Sequence, residues 1–171
     1  MVVLRATLKV LKVLPPSGAD DEVSDTALGD WYVNRLVVDP QPLLLFVSAN
    51  SRLVMLAPAR DVKSLPVRFA GMVVERLRRL GADQARIDVE RAAMNTVCVG
   101  RTRDRSVTGQ MVDFARLIPY HLPVGAWEAS SLSLVEERLG EVPCRAGRAF
   151  HEVIFPKQTA LRLLKEQWAE Q

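Results

Sequence analysis

The sequence predicts an α+β fold in which a mainly antiparallel sheet, built around a β-meander, packs with about four to six helices in one domain. Two observations carry this expectation. Between Trp31 and Pro58, three runs rich in strand formers follow one another, separated by clusters of Pro, Asp, Ser and Asn. Beyond them the apolar spacing changes to a helical period, most clearly over 64–80. No repeat, heptad or low-complexity tract divides the 171 residues, and a chain of this size buries roughly 70 % of its unfolded surface.

The elements follow in order. Val2–Ala6 is short and apolar and reads as a buried strand. Thr7 then caps a helix over 8–14, with Leu8, Leu11 and Leu14 inward, stopped by Pro15 and Pro16. The stretch 15–28 has an acidic, aperiodic centre and reads as a mobile surface loop. Trp31–Val38 is a strand, and 39–42, with Pro40 and Pro42, is a turn because proline cannot donate to a ladder. The unbroken apolar run 43–47 suits a central strand, 48–51 a turn, and 53–56 the next strand. Ser64 caps a helix to Leu80, with Gly81 as its stop and Pro66 tolerated in the first turn. Asp83 caps a second helix to about residue 94, turned sharply at Gly81. A strand over 96–99 leads through a loop to a helix over 106–120, with Val107, Met111, Phe114 and Ile118 inward. A weaker helix over 132–139, a strand over 153–155 and a terminal helix over about 159–169 complete the chain.

Composition excludes several classes. Hydrophobic residues make up 49 % and charged residues 25 %, ordinary for a globular protein and wrong for a disordered chain. The net charge of +3 is mild, but the basic set holds 18 Arg against 5 Lys. Arginine's planar fork suits phosphate and carboxylate, although a genome that favours arginine codons gives the same bias. Cys98 lies in an apolar run and reads as a buried thiol, while Cys144 follows Pro143 in a loop-like stretch and reads as exposed. Neither belongs to a C-x-x-C, and His121 and His151 have no companions at ligand spacing, so no metal site and no cofactor is expected. With no secretory n-region and no apolar run long enough for a bilayer, the expectation is a cytoplasmic chain without membrane contact.

Chemistry concentrates in two places. Arg101, Arg103, Asp104, Arg105 and Ser106 lie where a strand gives way to a helix, whose first turn presents unpaired N–H groups. Arginines there suit an anion such as phosphate, whereas the bland reading is a solvated loop with Ser106 as a cap. The second cluster is Asp30, Trp31, Tyr32 and Asn34; Trp31 or Tyr32 beside arginines could stack a base, but the core reading, with the indole N–H tied to a loop carbonyl, is preferred. Gly109 reads as a close-packing site and Asp113, one turn on, as a salt-bridge partner or a functional carboxylate. Arg60 and Asp61 read as a charge pair locking a strand-to-helix loop. No G-x-S-x-G, phosphate loop or dinucleotide fingerprint occurs, and no catalytic residue is identified.

Several of these stretches, namely Val3 to Arg5 with the run Lys9 to Leu14, Gly29 to Asn34, Leu44 to Val47, Pro58 to Asp61, and Arg105, Ser106, Val107, Gly109, Met111, Asp113 and Phe114, resemble a family of small bacterial domains known only as a domain of unknown function. Where members often carry Asn, this chain has Asp104 and Val112. The resemblance implies an intracellular bacterial α+β domain and brings no mechanism. Three functions then compete. The first is a non-enzymatic module recognising a protein partner or a second copy of itself, through an apolar patch near Trp168. The alternative is nucleic-acid or nucleotide binding through Arg101, Arg103 and Arg105 and the following helix N-terminus. The third is a small metal-independent ribonuclease-like hydrolase with Asp113 or His121 as base.

Overall fold

The computed structural model describes residues 1–18, 20–38, 41–122, 128–146 and 152–169. Five strands form one sheet: β1 (Val2–Ala6), β2 (Trp31–Val38), β3 (Gln41–Ser48), β4 (Val54–Pro58) and β5 (Val97–Arg101), in the order β4-β3-β2-β1-β5. The meander of β2, β3 and β4 is antiparallel, as expected, but β1 runs parallel to both β2 and β5. The sheet is therefore mixed, which corrects the mainly antiparallel expectation. The physical reason lies in the connections. Parallel neighbours need crossovers of a dozen or more residues, and both 7–30 and 59–96 supply them. All five β1 residues are buried, as befits a strand covered on both faces.

Helices cover one face. They are α1 (Leu8–Leu11), α2 (Leu65–Leu80), α3 (Gln84–Ala93) and α6 (Pro156–Gln167), which pack with Leu4, Trp31, Val33 and Phe46. The indole of Trp31 stands edge-on to Phe69 of α2, with centroids 6.0 Å apart. On the other face, α4 (Arg105–His121) and α5 (Ala129–Leu139) close over Tyr32, Leu45, Val47 and Leu56. Four inward residues of α4, namely Val107, Met111, Phe114 and Ile118, are all buried, as their spacing requires. Gly81 takes the left-handed conformation (φ 85°) that ends α2, and the Asp83 carboxylate caps α3 by accepting from Arg86 N.

Local expectations fail where side chains find better partners. The α1 helix is one turn, because Thr7 Oγ1 donates to Asn34 Oδ1 (2.7 Å) instead of capping, and Leu8 is 77 % exposed while Val10 is buried. Gln41 and Pro42 open β3 rather than forming a turn; residues 39 and 40 lie outside the described residues. Pro42 is tolerated near a strand start, and its carbonyl accepts from Ala59 N. Ser64 makes no capping bond, and a 3-10 turn, Val62–Ser64, precedes α2. Cys144 belongs to a short hairpin of β6 (Cys144–Ala146) and β7 (Glu152–Ile154), which the sequence did not show as a pair. It is buried, and burial pushes its thiol up to about 11; Cys98 is the half-buried one.

The segment read as a mobile loop crosses the half of the sheet face that α4 and α5 leave uncovered. Ser17 and Val99 exchange two bonds, Ser24 Oγ accepts from Val3 N, and Arg5 donates to the carbonyls of Asp20 and Glu22. At its far end, Glu90 of α3 accepts from Ala27 N (2.9 Å), Leu28 N (3.3 Å) and the Trp168 indole (2.7 Å). Burial raises the Glu90 pKa above its ordinary value of 4.5, against the lowering effect of those three donors. A raised carboxyl pKa means that folding favours the protonated form. Wild-type stability relative to Glu90→Gln is thus expected to be greatest below about pH 4.5 and to fall as pH rises through the folded-state pKa. Urea midpoints of both proteins between pH 4 and 8 check this, and a rising difference would overturn it.

Candidate functional site

The loop after β5 and the start of β2 meet on the sheet face, at the seam between the 15–30 segment and α4. Asp30 anchors the seam. Its carboxylate accepts from Arg5 Nε (2.9 Å), Ser24 N (3.1 Å) and Ser24 Oγ (2.7 Å), and it lies 3.6 Å from Arg103 Nη2. Tyr32 Oη accepts from Asp104 N (3.1 Å), and Arg52 Nη2 donates to Ser106 Oγ (2.5 Å). The two clusters singled out in the sequence therefore converge, but through interior side chains.

That convergence changes the roles. Trp31 and Tyr32 are 0 % and 1 % exposed, so neither offers a face for a base, and burial raises the Tyr32 pKa. For Trp31 the core reading holds, but Nε1 has no hydrogen-bond partner among the described residues where a loop carbonyl was expected. Ser106 is not the cap: Asp104 Oδ1 accepts from Ser106 N (2.8 Å), so a carboxylate of the chain itself occupies the start of α4. Anion binding by bare N–H groups is correspondingly weakened there. Asn34 Oδ1 is engaged by Thr7 Oγ1 and Arg35 N.

Arg101, Arg103 and Arg105 are exposed, and among the described residues Arg101 and Arg105 make no ion pair. The lock expected from Arg60 and Asp61 forms differently, through their carbonyls, both of which accept from Arg68 Nη2, with Asp61 at φ 48°. Asp113 is exposed and lies 3.9 Å from Arg116, a surface pair. His121 ends α4, and His151 lies outside the described residues. No group of three or more His, Cys, Asp or Glu among the described residues is placed to hold a metal.

Sequence reading missed the buried charges. Arg5, Arg76, Glu90 and Glu136 are at most 1 % exposed and Arg52 is 4 % exposed. Arg5 stands out only as a charge inside an apolar strand. Arg52 carries a second signal, a backbone at φ 62° that a side chain rarely adopts. Its Nη1 donates to Ala49 O, Nε has no partner among the described residues, and desolvation lowers its pKa.

Beside the seam, a groove of about 730 Å³ runs along α4, with the segment 142–145 as its other wall. A second groove, of about 570 Å³, follows the β4 edge between α2 and α5.

A family model described as a domain of unknown function (DUF6933) matches residues 3–159. No curated protein matches. Among solved structures, the crystal structure of the catalytic core domain of BIV integrase is similar, with a TM-score of 0.50 and 16 % identity over 82 % of this chain and 97 % of that one. At that identity the likeness concerns the fold alone. No helix among the described residues is long and apolar enough to cross a membrane.

Proposed function

The chain belongs to the DUF6933 family of unknown function, and we propose that it binds the phosphates of nucleic acid or nucleotides through Arg101, Arg103 and Arg105. The observation that carries this reading is the state of those side chains. Three exposed guanidinium groups stand at the end of β5, in the following loop and at the start of α4, and two of them are without carboxylate partners among the described residues. Between Arg103 and Arg105, Asp104 is anchored, its N–H donating to Tyr32 Oη and its carboxylate accepting from Ser106 N. An anchored backbone at Asp104 limits the entropy that the neighbouring arginines lose when phosphate arrives, and the fork geometry of each fits two phosphate oxygens. The apolar patch that a protein-partner module would use was expected at Trp168. That side chain instead turns inward, with its indole bonded to Glu90 and its ring against the core.

The test is fluorescence anisotropy of labelled single-stranded RNA and DNA. If three phosphates are neutralised, affinity for a single strand falls about 20-fold between about 50 and 200 mM salt. The Arg101, Arg103 and Arg105→Gln triple variant should fold normally and lose that salt-dependent binding. Absence of binding at the lower salt, or equal binding by the variant, overturns the reading.

A further inference from the structure

Gly109 lies in the interior of α4, where glycine costs about 1 kcal/mol relative to alanine. Close packing by a neighbouring element would offset that cost, as the sequence suggested. It does not occur here: a Cβ built on Gly109 meets no atom within 4 Å. The missing side chain instead leaves open the middle of the groove along α4.

The groove has chemically distinct ends. At its head stand the exposed Arg105 and the half-buried Ser106, and the exposed Arg145 lines the facing wall; neither arginine makes an ion pair among the described residues. Behind Ser106 lies Arg52, a buried guanidinium with no carboxylate in ion-pair contact among the described residues and an unpartnered Nε. A buried charge left without an opposite charge is unfavourable, and an anion at the head of the groove relieves it. In the middle is the gap at Gly109, and the facing wall of the groove includes Val142 and Pro143, an apolar lining suited to a flat ring. Further along stand Gln110 and Asp113, whose carboxylate is exposed and, among the described residues, held only by a long 3.9 Å pairing with Arg116. From Ser106 to Asp113 the helix rises about 10 Å, the reach of a nucleoside monophosphate from phosphate to the far edge of its base.

We propose that this groove binds a guanine nucleotide. The phosphate sits at Arg105, Arg145 and the Ser106 hydroxyl, and the base lies between Gly109 and Pro143. Asp113 accepts from the adjacent N1–H and N2–H groups. A carboxylate only accepts, and guanine alone among the common bases presents two neighbouring donors on that edge. This deepens the phosphate-binding reading and shares with it only Arg105.

The full chain is titrated calorimetrically with GMP and AMP, and the oligonucleotide anisotropy is repeated on the same variants. GMP should bind at least about tenfold more tightly than AMP, the value of a lost charge-assisted hydrogen bond. Gly109→Leu, which fills the slot from an exposed helix face, should leave the unfolding temperature unchanged or higher and abolish GMP binding, with salt-dependent oligonucleotide binding retained. Asp113→Asn should remove the preference for GMP over AMP. Normal oligonucleotide binding without GMP binding overturns the groove and leaves the loop reading standing, while GMP binding without oligonucleotide binding does the reverse. Unchanged GMP affinity in a folded Gly109→Leu protein also overturns the groove, and an unchanged preference in Asp113→Asn overturns the assignment of the base edge.

Discussion

Replacing Asp30 with alanine is expected to lower stability by about 3–5 kcal/mol, the loss typical of breaking a buried ion pair from one side. Arg5 is 1 % exposed and lies on the sheet face that the 15–30 segment covers. Gly100 on the neighbouring strand makes room for it, since a Cβ there would lie 2.8 Å from Arg5 Nη1. Without Asp30 the guanidinium keeps two backbone carbonyls but, among the described residues, no paired anion, and Ser24 loses the acceptor for both its N–H and its hydroxyl. The segment should therefore loosen as a unit. Urea unfolding gives the first number, and hydrogen exchange at 20–28 should show protection lost there before it is lost in β3. Arg103 adds little, because its 3.6 Å contact is long and its side chain 44 % exposed. A loss below about 1 kcal/mol, the range of exposed ion pairs, would mean that the pair does not hold the segment down.

Asp30 also marks the boundary of what the sequence shows. Features encoded within one turn or one period are legible: the buried face of α4, the Gly81 stop and the Asp83 cap. Features that depend on distant partners are not. Arg5 and Asp30 stand 25 residues apart, and Arg79 and Glu136 stand 57 apart, so neither pairing leaves a local pattern. Parallel pairing of β1 escapes for the same reason, since a short, mostly apolar strand reads alike in either direction. The candidate site was half legible. Its arginine loop was visible as composition, but Asp104 displaced Ser106 as the cap by one competing hydrogen bond. Arg52 was hidden, because only the fold carries a turn arginine beneath Ser106.

The second large effect concerns the edge of the sheet. Among the described residues the outer side of β4 has no strand neighbour, yet Leu56 N donates to Glu136 Oε2 (3.2 Å) and Arg76 Nε donates to Val54 O (2.8 Å). Two side chains from α5 and α2, themselves 3.4 Å apart, thus close backbone groups that another strand would otherwise use. Burial raises the Glu136 pKa, with Arg76 and then Arg79 opposing it. Glu136→Ala strands the Arg76 guanidinium and opens Leu56 N–H, and is expected to cost about 3–5 kcal/mol. The paired replacement Arg76→Met with Glu136→Leu separates two roles. Swapping a buried ion pair for apolar groups of similar size is often neutral or stabilising, so the unfolding midpoint should return close to the wild-type value. The edge, however, stays open, and the double variant should self-associate in light scattering at concentrations where the wild type does not. A double variant as stable and as monomeric as the wild type would show that the apolar replacements shield the edge equally well, and the ion pair would then have no part in keeping β4 from pairing with another chain.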